Sequence, residues 1–334
     1  MNKQMRLLIV TTMSLVLSLG LVGCSPTKKE EKKDFKVGVV LGEGGANDQS
    51  FNQSSLEGLN KAKKELGIDG KYLESNQDAD YIPNIETFID EKSDLVIGVG
   101  YTTAAAMLES AKNYPNVNFV VIDHNYKEED KEIPKNMACV TFDEREVSYL
   151  VGVIAAKMSE TGKVGFIGGM KDPNITRFED GFVKGVKSVG SDINLLSQYA
   201  NSYDDASLGK SIANQMYSKD VDVIFSAAGN VGTGAIESAK EKDKFAIGVD
   251  MDQNSLAPKN VITSAMKRVD IGVFDIIEKA KKGEFEGGKA IVYGLKEGGV
   301  GIAPSTNKNV PEDIVKYTEE QAKQIIDGKI KIGK

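Results

Sequence analysis

Tryptophan is absent from the 334 residues, histidine occurs once, cysteine twice, and acidic residues outnumber basic ones. Each shortage removes a class of function. A lone histidine, His124, cannot build a histidine metal cluster, because zinc sites of that kind draw on several imidazole or thiolate ligands. No nucleophile stands near it in a recognisable catalytic pattern, so no catalytic residue, metal or cofactor is expected. A formal charge of −7 leaves no basic footprint for nucleic acid. Cys139 lies in an apolar run with Met137, Val140 and Phe142 and reads as a buried thiol. With Cys24 engaged elsewhere, no disulfide is available. The lack of tryptophan decides nothing about function. Otherwise, 40% hydrophobic and 27% charged residues describe an ordinary globular α/β chain.

One long apolar run is present. Lys3 and Arg6 precede Leu7 to Val22, which is shorter than a typical spanning helix, and Leu21-Val22-Gly23-Cys24 closes it. That ending looks like a bacterial lipobox, with cleavage before Cys24 and lipidation of its thiol. Residues 1–23 are thus expected as a lipoprotein signal peptide and 24–34 as a lipidated flexible tether. Loss of Lys3 and Arg6 with the peptide takes the charge from −7 to −9. Lipid would therefore hold the chain to the membrane, on its extracytoplasmic face.

From Phe35 onward, short apolar runs alternate with segments of helical period. The strands expected are Lys36–Leu41, Lys71–Glu74, Asp94–Val99, Asn118–Ile122 and Met137–Phe142, then Lys163–Ile167, Asn194–Tyr199, Val221–Ser226, Lys244–Val249 and Val261–Ser264. Two series of this kind predict two doubly wound parallel sheets with a ligand cleft between them. A helix from Arg268 to about Lys282, an apolar run at Ala290–Leu295 and a helix near Glu312–Asp327 complete the chain. The lobes are expected as 35–143 plus about 267–300, and 144–266 plus about 301–334.

In open parallel sheets, ligands lie beyond the carboxyl ends of the strands. The stretch LGEGGANDQSFN, Leu41 to Asn52, follows the first strand and opens a helix. Its glycines permit a tight turn, Asp48 can cap the helix, and the amides of the first turn point toward a ligand. Phe51 suits stacking on a planar ring or a core contact. Asp123 and Asp250 end corresponding strands in the two halves, and a carboxylate there suits a pair of adjacent hydroxyls or a helix cap. Lys267 could reach the cleft from its strand. Of Phe178 and Phe182, one turn apart on a helix, one is expected in the core and the other facing the cleft opposite Phe51. Gly229 to Gly234 is a glycine-rich turn without dinucleotide spacing. Gly283 to Lys289 imitates a phosphate loop, but it runs from helix to strand with Ala290 where a hydroxyl should stand.

Asn47-Asp48-Gln49-Ser50-Phe51-Asn52, the Asp123 turn, Phe178 with Gly181-Phe182, Ala228-Gly229-Asn230, Gly248 to Gln253, and Thr263-Ser264 followed by Lys267 together resemble the basic membrane protein family. These are lipid-anchored solute-binding proteins, whose best-understood type is a purine nucleoside receptor feeding an ABC transporter. The resemblance covers essentially the whole mature chain. It implies a type I periplasmic-binding fold and a base stacked between Phe51 and Phe178. The sugar would be held by Asp123, Gly229, Asp250 and Lys267, with Asn47 and Asp48 completing the site. It also implies a permease partner, a membrane attachment through lipid, and a monomer. One departure is Gly42, where family members commonly carry an aspartate associated with the edge of the base. An extracytoplasmic nucleoside-acting enzyme such as a hydrolase, using the carboxylates Asp48, Asp123 and Asp250, and a ligand-sensing lipoprotein are the rival readings.

Overall fold

The computed structural model describes residues 34–333; the expected signal peptide, Cys24 and nearly all of the expected tether lie outside them. The strands are β1 (Lys36–Val40), β2 (Asp69–Leu73), β3 (Leu95–Val99), β4 (Asn118–Ile122), β5 (Met137–Phe142), β6 (Lys163–Gly168), β7 (Asn194–Tyr199), β8 (Val223–Ala227), β9 (Phe245–Asp250), β10 (Val261–Lys267), β11 (Lys289–Tyr293) and β12 (Val300–Ile302). The longer helices are α1 (Phe51–Leu66), α2 (Tyr81–Asp90), α3 (Ala104–Asn113), α4 (Glu144–Met158), α5 (Pro173–Val189), α6 (Ala206–Tyr217), α7 (Asn230–Lys242), α8 (Val269–Lys281) and α9 (Glu312–Ile326).

Two six-stranded sheets result, in the orders β11-β5-β4-β3-β1-β2 and β12-β10-β9-β8-β6-β7. Central strands such as β3 and β8 are buried at every position, which is why they read as unbroken apolar runs rather than alternating ones. All pairings in the first sheet are parallel. In the second, β12 alone runs antiparallel to its neighbour, β10. Within the described residues the chain passes between the sheets after β5, after β10 and after β11. No helix of the described residues is long and apolar enough to cross a membrane.

Local chemistry fixes the helix starts that face the cleft. Asp172 caps α5, its Oδ1 accepting from the amides of Asn174 at 2.7 Å and Ile175 at 3.1 Å, with Pro173 at the first helical position. α4 and α5 then pack closely enough that a methyl group at Gly185 would lie 2.1 Å from the Tyr149 carbonyl oxygen. Only a hydrogen side chain permits that approach, and it brings the start of α4, with Glu144, beside the start of α5, with Arg177.

Candidate functional site

A cavity of about 100 Å3 lies between the carboxyl ends of the two sheets. A single water requires roughly 10–15 Å3 of such space, so the cavity holds several waters or a small ligand. Asp48, Phe51, Asp123, Phe178, Gly229, Asp250 and Lys267 all line it. Asn47 is exposed and lies outside that lining.

The turn before α1 differs from expectation in one respect. Asp48 Oδ1 accepts from the amides of Ser50 at 2.9 Å and Gln53 at 3.0 Å, and Oδ2 from that of Asn52 at 2.8 Å. The amides of Ser50, Asn52 and Gln53 are thus spent on this carboxylate and not on a ligand. Burial raises the Asp48 carboxyl above its ordinary range, and the three amides pull against that rise. Its role in the turn is to hold the strand-to-helix corner, so that Phe51, the first residue of α1, projects onto the cavity wall.

The cavity has two unlike ends, set by strand order. Asp123 follows β4, Asp250 ends β9 and Lys267 ends β10, neighbours on one side of the two sheets. Thr102 follows β3, Gly42 follows β1 and Tyr203 follows β7, toward the other side.

At the charged end, Asp123 and Asp250 both adopt left-handed backbone, with φ of 65° and 64°. Such angles are costly for a residue other than glycine and turn the side chain sharply away from the strand. Lys267 donates to Asp123 Oδ2 across the cleft and lies 3.0 Å from Glu144 Oε1. Arg177 Nε donates to Glu144 Oε2 at 2.7 Å, Arg177 also donates to Asn174 Oδ1, and Asn174 Nδ2 donates to the Asp123 carbonyl at 3.0 Å. The ammonium stands 5.1 Å from the ring centre of Phe51 and 5.6 Å from that of Phe178, within cation–π range of both.

Burial raises Asp123 to about 6 against the pull of Lys267, and raises Asp250 to about 7 with Lys267 again opposing. Burial works the same way on Glu144, but Lys267 and Arg177 outweigh it and leave that carboxyl below its usual range. For Lys267 burial alone would lower the ammonium; Asp123, Glu144 and Asp250 reverse this and raise it. Lys267 is therefore a permanent cation although only 2% exposed. Asp123 Oδ1, by contrast, is buried and has no hydrogen-bond partner among the described residues.

Cross-lobe hydrogen bonds close the cleft. Ser50 Oγ donates to Asp250 Oδ2, Gln253 Nε2 donates to the Gln49 carbonyl at 2.9 Å, and Asn230 Nδ2 donates to the Gly44 carbonyl at 3.3 Å. Gly229 has φ of 55°, and a methyl group there would lie 2.9 Å from the Tyr203 carbonyl oxygen. Glycine is thus required both by conformation and by space.

Of the two phenylalanines on α5, Phe182 is fully buried while Phe178 lines the cavity and packs against Phe225, 6.0 Å between ring centres. Lys267 is the last residue of its strand and not a surface lysine. Sequence reasoning missed Glu144, Arg177 and Tyr203. Glu144 lies two residues past β5 and Tyr203 four past β7, so the rule that ligands lie beyond strand ends points to both. Nothing local marks Arg177, which looks like a solvated charge near a helix start.

Comparison with known proteins adds a family to this geometry. Residues 35–334 match the Bmp family, described as ABC transporter substrate-binding protein PnrA-like. The ABC transporter nucleoside-binding protein BmpA of Lactococcus lactis subsp. cremoris is 39% identical over 353 residues, covering 98% of each chain. The CD4+ T-cell-stimulating antigen of Listeria monocytogenes is 39% identical over 350 residues, covering 96% of each. A solved ABC transporter system solute-binding protein from Aeropyrum pernix superposes with a TM-score of 0.81 at 29% identity, covering 89% of this chain and 92% of that one.

Proposed function

The chain belongs to the Bmp family of ABC transporter substrate-binding proteins, and on that premise we propose that it captures a nucleoside, a purine nucleoside foremost, between its lobes and delivers it to a permease. Proteins of this class bind and hand over a solute without transforming it, and the proposed site is a binding site only. The relative that shares 98% of its length with this chain is named as a nucleoside-binding protein.

The observation that carries the reading is Asp123 Oδ1. A buried carboxylate oxygen that no protein donor reaches is costly unless a ligand or water donates to it. Here it borders a cavity beside the Phe51 ring, with Asp250 and Lys267 adjacent. A vicinal diol supplies two donors for two carboxylates, and its oxygens can accept from Lys267. A planar base attached to that diol then lies over Phe51, with Phe178 as the second apolar wall and Gly229 allowing close backbone approach. Asp48 supports the turn that carries Phe51; Asn47 has no contact role in this arrangement.

The lobes proposed are 35–143 with about 267–300, and 144–266 with about 301–334, with the crossings near the end of β10 and the start of β12, so that Lys267 itself belongs to the second sheet. Attachment is through a lipid on Cys24, on the extracytoplasmic face, and the protein acts as a monomer. Isothermal titration with a purine nucleoside, its free base and ribose tests the reading. The nucleoside should bind far more tightly than either part. Free base binding as tightly as the nucleoside would overturn it, and release of free base during incubation would favour a hydrolase.

A further inference from the structure

Resting on the nucleoside reading, we infer that Thr102, oriented by Tyr81, donates a hydrogen bond to a carbonyl oxygen on the edge of the ligand's ring, so that the site prefers 6-oxopurine nucleosides to 6-aminopurine ones. Thr102 follows β3 and lines the cavity at the end away from Asp123 and Lys267. A methyl group built at Gly100 would lie 3.6 Å from Phe51 Cε1 and 3.8 Å from Thr102 Oγ1. The hydroxyl is thus beside the ring of Phe51, where the edge of a base stacked on that ring comes to lie. Gly42 puts no side chain in between, and a methyl group there would lie 2.9 Å from the Val99 carbonyl oxygen and 3.4 Å from Thr102 Oγ1.

The hydroxyl protons at this end can be followed one by one. Tyr81 is 2% exposed, and its hydroxyl donates to Thr102 Oγ1 at 2.9 Å. Tyr203 donates to Asp172 Oδ2. The protons of Tyr81 and Tyr203 are thus both committed to the protein. The proton of Thr102 is not taken by these tyrosines, and Tyr81 occupies one of the two lone pairs on its oxygen, so the group offers the cavity a donor. A ring carbonyl completes the chain Tyr81 to Thr102 to ligand, whereas an exocyclic amine would have to use the remaining lone pair and leave the Thr102 proton without its acceptor. Glu43, the carboxylate that also lines this end, is exposed and can accept from the adjacent ring N–H of a 6-oxopurine.

Calorimetry with inosine, adenosine and purine riboside, which carries no group at the ring position concerned, tests this. Inosine should bind about tenfold more tightly than either of the others, the scale of one neutral hydrogen bond. Thr102→Val should lower inosine to the level of purine riboside and leave purine riboside within about twofold. Tyr81→Phe, which frees the Thr102 hydroxyl to turn and accept, should narrow the gap between inosine and adenosine without equal loss for both. Adenosine binding as tightly as inosine to the unaltered protein, or equal losses for all three ligands in Thr102→Val at unchanged melting temperature, would overturn the inference and leave the nucleoside reading standing. Failure of every nucleoside to bind would overturn both.

Discussion

The two lobes repeat one plan and use it differently. Each places an aspartate with left-handed backbone at the carboxyl end of a central strand, Asp123 just past β4 and Asp250 last on β9. Position alone would make the pair equivalent. Their partners do not: Asp123 meets an ammonium from the other lobe and keeps one oxygen unpaired, whereas Asp250 meets a neutral hydroxyl, Ser50. Burial raises both carboxyls, Asp123 to about 6 and Asp250 to about 7, and Lys267 opposes the rise in each. Lys267 lies in direct contact with the first and acts on the second only through space. A repeated fold thus supplies two similar positions, and Lys267, at the end of β10, is paired with only one of them.

Removing that residue should have the largest effect. Lys267→Met leaves Asp123 and Glu144 buried without their shared cation, and such a loss costs about 3–5 kcal/mol of stability. Urea denaturation measures it. A loss under about 1 kcal/mol would mean that the cluster is not held by charge, and the contrast between the aspartates would lose its cause.

The aromatic walls sharpen the comparison next. Phe178 is 2% exposed and packs on Phe225, so Phe178→Ala should cost about 3–5 kcal/mol in stability. Phe51 is only partly buried at the start of α1, and Phe51→Ala should instead weaken nucleoside binding by about 1–3 kcal/mol with little change in melting temperature. If the two variants behaved alike in both measurements, the walls would not be distinct.

The smallest effect is on pH. An acceptor role requires the ionised carboxylate, so ligand binding favours the deprotonated forms and affinity rises with pH. Asp250 sets the upper part of the profile near 7 and Asp123 the lower part near 6. Affinity should level off above about pH 8 and fall by at most about tenfold per pH unit for each group below its value. In Asp250→Asn the upper step should vanish and the lower one remain. A profile flat from pH 5 to 8 would refute the assignment.

Much of this was legible in the chain. Strands buried on both faces read as continuous apolar runs, and the rule that ligands lie beyond their carboxyl ends singles out Phe51, Asp123, Asp250 and Lys267 before any coordinate is known. β12, three residues long and antiparallel, was not legible, because so short a segment carries no period. Tyr203 was passed over because it follows β7, an edge strand with no fully buried position. Glu144 and Arg177 become interior only through the close approach of α4 and α5, a property of two segments and not of either. Nor could the sequence tell that Asp48 consumes the first-turn amides it was expected to leave for a ligand.

The central claim is that Asp123 and Asp250 hold a ribose in a closed cleft. Titration of a ribonucleoside and its 2′- and 3′-deoxy analogues into the unaltered protein and Asp250→Asn tests it most directly. A charged hydrogen bond contributes roughly 1.5–3 kcal/mol, so the variant should lose on the order of tenfold to a hundredfold for the ribonucleoside and much less for the analogue that lacks the hydroxyl Asp250 accepts from. Equal losses across all three ligands would contradict the account.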